Sequence, residues 1–260
     1  MGYSVRRTQA SEGEVIWRVK QRIKQTLLPH GLMPRTIRAG LLKGLRMELD
    51  FAHHTQRWLG LDERELYRWF RELRAGVVTA LDVGAHVGKY TLYFLAKTSA
   101  RRVFAFEPDR QALAALQRNL ALNGFASDSR LAVVDKYVGS YQSPTFVSLD
   151  SYVERVACPC LVKVDIDGGE VELLRGAQQF LSLPDVRWII ETHAGHYETE
   201  CARILEARGY RTSIVANAWW RCVLPELRPG PPNRWLIALR ESESRHDSLQ
   251  ADNDIWCRLW

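Results

Sequence analysis

Residues 81–91 read Leu81-Asp82-Val83-Gly84-Ala85-His86-Val87-Gly88-Lys89-Tyr90-Thr91. An apolar run over 77–83 reaches an acid and a glycine. A second glycine follows four positions later, and from there apolar residues recur at helical spacing to about 96. This predicts strand, tight turn and helix. Glycines in such a turn let the backbone bend sharply and come close to a ligand.

The alternation continues on the C-terminal side. Strands are predicted over 102–106, 131–134, 161–166 and 186–190, with helices over 110–122, 170–181 and 198–208 between them. Segments 211–215 and 235–239 read as a final antiparallel pair. Strands alternating with helices imply an α/β fold, a parallel sheet covered on both faces. Ligands of such sheets bind beyond the carboxyl ends of the strands, where strand order reverses.

Two acids bear on the ligand. Glu107 ends the second strand, 19 positions after Gly88, where a carboxylate can accept hydrogen bonds from both hydroxyls of a ribose. A dinucleotide fingerprint needs a middle glycine because a pyrophosphate crosses the turn. Here His86 stands in that place, and Asp82 would sit badly beside a pyrophosphate. S-adenosylmethionine carries an ammonium and a sulfonium instead, which an acid near the turn suits. The charge pattern favours it over NAD, and so a methyltransferase over a dehydrogenase. The cofactor stretch comprises Asp82, Gly84, Ala85, His86, Gly88, Tyr90 and Thr91, with Glu107 and Pro108 from the second strand's end.

The sequence here resembles the FkbM-type family of class I S-adenosylmethionine-dependent methyltransferases. The resemblance lies in LDVGAHVGKYTLYFLA, VFAFEPDRQALAALQRNLALNG, VSLDSYV, LVKVDIDGGEVELLRGAQQFL and WIIETH, from Leu81 to His193. It implies a Rossmann-like, doubly wound sheet of seven strands in the order 3-2-1-4-5-7-6, the last strand antiparallel. It also implies roles at matching positions. Asp82, Gly84 and Gly88 would line the methionine and ribose side, and Glu107 would hold the ribose. Asp135 would lie near the adenine, and Lys163 and Asp165 beside the reactive methyl. The chain departs from the family pattern at His86, usually Asn, and at Asp167-Gly168-Gly169-Glu170, usually Glu-Gly-Ala-Glu. The stretch between the third and fourth strands is also short.

Methyl transfer is an in-line displacement at an activated carbon. The enzyme must align the nucleophile and exclude water, and a hydroxyl nucleophile gains from a base. Lys163, Asp165, Asp167, Glu191 and His193 converge at the ends of the fourth and fifth strands. Asp165, His193 and Lys163 are the catalytic candidates, with His193 able to act as a base and Asp165 also able to bind cofactor. Carboxylates such as Asp165, Asp167 and Glu191 can ligate a divalent metal, but no ligand motif accompanies them and no metal is assigned. His193 and His196 do not form a zincin pattern, and Cys158-Pro159-Cys160 lacks a second cysteine pair for zinc.

The flanks read differently. The formal net charge is +6, and residues 1–50 hold 10 Lys+Arg against 4 Asp+Glu, so the excess sits there. Val15, Ile16, Val19, Ile23 and Leu27 follow helical spacing, so 1–60 is predicted to be a basic helical cap, either a solvated extension or a segment that covers the substrate or mediates assembly. The methyltransferase domain spans 61–240, opening with a helix N-capped by Asp62 with Glu65 in the capping-box position, and 241–260 is a polar tail. Trp219, Trp220 and Arg221, with the proline-rich 228–234, would border the acceptor. No apolar run reaches the ~20 residues of a membrane helix. Five cysteines without a framework spacing predict a reducing, cytoplasmic setting. The acceptor expected is a hydroxylated small molecule, sugar or natural product, and the oligomeric state is open. A nucleic-acid methyltransferase is the alternative, suggested by the basic arm and nine tryptophans. Asp165-Ile166-Asp167-Gly168, however, lacks the Asp/Asn-Pro-Pro-aromatic motif of adenine amino methylation. A non-catalytic module that keeps the cofactor fold is the third reading.

Overall fold

The alternation of strand and helix builds one seven-stranded sheet in the computed structural model, which describes residues 31–215 and 234–240. The chain divides into two compact units, Met1–Asp62 and Glu63–Trp260.

In the first unit, β1 (Met33–Thr36) pairs antiparallel with β2 (Arg46–Leu49), and α1 (Phe51–Leu59) follows. Met47 and Leu49 are buried while Arg46 is exposed, the two-residue period of a half-buried strand. The expectation of an all-helical 1–60 is therefore corrected over 33–49. Strands of four residues are too short to show a period in the sequence. The helix predicted around 15–27 lies outside the described residues, as do Trp219, Trp220, Arg221 and the 241–260 tail.

The second unit opens with a 3-10 turn, Arg64–Leu66, and α2 (Tyr67–Leu73). Asp62 does not cap this helix; its Oδ2 accepts from Arg57 Nε at 3.0 Å within the first unit. The N-cap position is Glu63, with a left-handed φ of 50° and no side-chain cap bond.

The sheet is made of β3 (Thr79–Val83), β4 (Arg102–Phe106), β5 (Leu131–Val134), β8 (Cys160–Val164), β9 (Val186–Thr192), β10 (Tyr210–Val215) and β11 (Arg234–Arg240). Between β5 and β8 lie the short β6 (Tyr137–Val138) and β7 (Phe146–Val147), which pair with each other. The sheet order is β10-β11-β9-β8-β3-β4-β5. Counting only its strands along the chain, this is 3-2-1-4-5-7-6 read from the other edge. β11 runs antiparallel to both its neighbours, and the other pairings are parallel. Every residue of β3, β8 and β9 is buried, as strands covered on both faces must be.

The helices are α3 (Lys89–Lys97), α4 (Arg110–Ala121), α5 (Glu170–Arg175) and α6 (Gly195–Glu206). The helix predicted over 170–181 stops at α5. A Cβ at Gly176 would lie 2.1 Å from the Gly139 carbonyl oxygen, so the β6–β7 segment presses against the chain there. A new 3-10 turn, Phe180–Ser182, follows, with Asp150 Oδ1 accepting from the Gln179 and Phe180 amides at 2.8 and 2.9 Å. No described helix is long and apolar enough to cross a membrane.

Candidate active site

The β3–α3 turn is tied to its neighbours by backbone. The Gly84 and Ala85 amides donate to the Phe106 carbonyl at 3.0 and 2.9 Å, which joins the turn to the end of β4. Gly84 has φ 73°, and a Cβ there would fall 1.8 Å from the Asp165 carbonyl oxygen. Only glycine admits this approach of the β3 and β8 ends. His86 is exposed and also left-handed, with φ 47°. Its amide donates to Glu107 Oε2 at 2.7 Å, and the Asp109 amide donates to Oε1 at 2.9 Å. Both oxygens of the buried Glu107 are thus held by backbone, and each keeps a lone pair for another donor.

Asp82 takes a different place from the one its charge suggested. It is wholly buried, accepts from Thr91 Oγ1 at 2.6 Å and pairs with Lys163 Nζ at 3.4 Å. Parallel pairing puts Asp82 directly beside Lys163. Burial pushes the Asp82 carboxyl up, against the pull of Lys163 and Thr91. Lys163 donates to the Gly84 carbonyl at 2.8 Å and lies 3.4 Å from Asp165 Oδ2. Burial alone would lower its pKa, but Asp165 and Asp82, then Glu63 and Glu191, outweigh that and raise it. Lys163 is therefore a fixed cation clamping the turn to β8.

Tyr90 stacks on Phe70 with centroids 4.6 Å apart and lies under Lys163 Nζ at 5.2 Å. Its hydroxyl donates to Glu63, as does Lys89 Nζ at 2.7 Å. Glu63 had no signal in the sequence, since 26 residues separate it from Lys89. Pro108 follows Glu107 at the β4 end. Asp135 is exposed just beyond β5, whose last carbonyl accepts from the Glu107 amide at 3.0 Å.

The second cluster forms where β8 and β9 end. His193 follows β9 directly. Its Nε2 lies 2.8 Å from Asp167 Oδ1 and 3.8 Å from Asp165 Oδ1. Its Nδ1 contacts Glu170 Oε1, from the first residue of α5. Burial would lower the imidazole pKa, but the hydrogen bond and charge of Glu170, then Asp165 and Asp167, raise it above 6.5. Ligand atoms of Asp165, Glu191 and His193 lie within 4.8 Å of one another. Lys163 and His193 supply counter-charge to these acids from within the chain. Sequence reasoning gave Glu170 no separate role, although an acid opening a helix just after Asp165 and Asp167 was the available signal.

Residues 126–212 match the Methyltransferase FkbM domain. Comparison with curated proteins finds no match. Among solved structures, Methyltransferase FkbM from Methylobacillus flagellatus KT superposes with a TM-score of 0.50 at 21% identity, over 62% of this chain and 43% of that one. The precorrin-6y C5,15-methyltransferase from Geobacter metallireducens GS-15 gives 0.46 at 14% identity, covering 69% and 88%. A putative rRNA-methylase from Clostridium thermocellum gives 0.46 at 13%, covering 68% and 97%. The chain spans less than half the length of the FkbM structure it matches. The domain match covers about a third of the chain, and the sheet that contains it has the strand order 3-2-1-4-5-7-6 that the resemblance to FkbM-type methyltransferases implies.

Proposed function

We propose that the chain binds S-adenosylmethionine at the β3–α3 turn and methylates a hydroxyl of a small molecule, sugar or natural product. The observation that carries the cofactor assignment is Glu107. Two backbone amides hold its carboxylate at the end of β4 while leaving each oxygen a lone pair for a ribose hydroxyl. Ala85, His86 and Gly88 bring backbone to the same place, and Asp135 stands beyond the neighbouring strand. Asp82, Thr91 and Lys163 hold the turn from beneath, and Tyr90 walls it.

When bound, the cofactor supplies an activated methyl on a sulfonium. His193 Nε2, once deprotonated and released by exposed Asp167, would accept the acceptor's hydroxyl proton, while the sulfonium would give its methyl to that oxygen and leave as a neutral thioether. The resulting imidazolium rests between Glu170 and Asp165 with Asp167. Asp165 sits between Lys163 and His193 and orients both. No metal enters this scheme.

Titration calorimetry with S-adenosylhomocysteine and with NAD tests the cofactor assignment. Binding of the first and none of the second is expected; tight NAD binding overturns it.

A further inference from the structure

The mechanism uses one face of His193 and leaves open what fixes the other. Glu170 is completely buried at the start of α5, yet it is ionisable. Burying a carboxylate costs several kcal/mol unless a partner compensates it. Its Oε1 meets His193 Nδ1, and its Oε2 is buried without a hydrogen-bond partner among the described residues. The nearby groups from other elements are Asp165 and Asp167 on the β8–α5 connection, Glu191 on β9 and the Cys201 thiol on α6. The thiol is pushed up to about 12, by burial first and then by Glu170, so it stays neutral near pH 7. The cation next to Glu170 is therefore His193.

A neutral imidazole that donates its Nδ1–H has its lone pair on Nε2. In the protonated ring Nε2 donates to exposed Asp167 Oδ1 at 2.8 Å; once that proton leaves, the lone pair is on Nε2 and Asp167 no longer holds it. We propose that Glu170 is a positioning residue for His193, holding the imidazole through Nδ1–H so that Nε2 is the proton-accepting atom. The assignment rests on the reading of His193 as the base. It also gives the buried charge a use, since a proton arriving on Nε2 is stabilised by a carboxylate shielded from water. The glycine pair Gly168-Gly169 leads the chain from exposed Asp167 to buried Glu170 in three residues. One short connection thereby supplies carboxylates to both imidazole nitrogens.

The test uses the full chain with 15N-labelled histidine, His193 being identified by the signal lost in His193→Gln. The wild-type spectrum is expected to show a protected, low-field Nδ1–H proton and a titration midpoint above 6.5. In Glu170→Gln, which removes the charge and keeps the shape, the midpoint should fall. On any methylated acceptor kcat should drop about 10²-fold, as loss of general-base assistance implies, with KM and S-adenosylhomocysteine affinity within about twofold, because Glu170 is not in the cofactor set. An unchanged midpoint in folded Glu170→Gln overturns the proposal. So does a wild-type His193 without the Nδ1–H proton, whether or not Glu170→Gln folds. Failure of the wild type to bind S-adenosylhomocysteine would instead overturn the cofactor reading and leave the histidine result standing.

Discussion

Glu107 and Asp82 are both acids at strand ends, and the sequence treats them alike. Tertiary contacts separate them. Glu107 takes two backbone amides, whereas Asp82 is turned inward onto Thr91 and Lys163. Glu107→Ala should weaken S-adenosylhomocysteine binding by about 1–3 kcal/mol, the usual worth of hydrogen bonds to a charged group. Calorimetry on a folded variant measures it, and unchanged affinity removes Glu107 from the site. The charge argument that set the turn against a dinucleotide used an acid that the fold buries completely. Lys163, invisible to that argument, neutralises Asp82 from the adjacent strand.

The turn and the helices show which elements a sequence reveals. The Gly84 to Gly88 turn was legible because close approach excludes every side chain, and glycine records that constraint directly. Gly84→Ala should destabilise the protein by about 3 kcal/mol or more, as overpacking combines with a strained left-handed φ. Chemical denaturation checks this, and a loss under 1 kcal/mol would contradict the observed contact. The stop of α5 at Gly176 was not legible. Its apolar period runs on to 181 in the sequence, and the break depends on the Gly139 carbonyl and on Asp150, both far along the chain. The hairpin at 33–49 was missed for the other reason: its strands are too short for periodicity to register.

On the scale of the whole molecule, His193 joins the end of β9 to α5 and to the β8–α5 connection. Its folded pKa lies above its ordinary 6.5. The stability it contributes is fully present below about 6.5 and is lost as pH rises through the higher folded value. Unfolding free energy measured across that window should fall more steeply for wild type than for His193→Gln. Parallel curves would show that the pair contributes nothing to the fold. The base form appears over the same window, so turnover should rise as this stability declines. What the sequence determined by itself was the α/β alternation, the glycine turn and the acids at strand ends. Hydrophobic period, backbone strain and the spacing of Glu107 after the glycine turn are local properties written into the chain. Only the tertiary structure decided which charges meet. Lys163 with Asp82, Glu63 with Lys89 and Tyr90, and Glu170 with His193 are pairings of residues 23 to 81 positions apart. Burial in a low-dielectric interior sets their partners, and sheet register and helix packing set their distances.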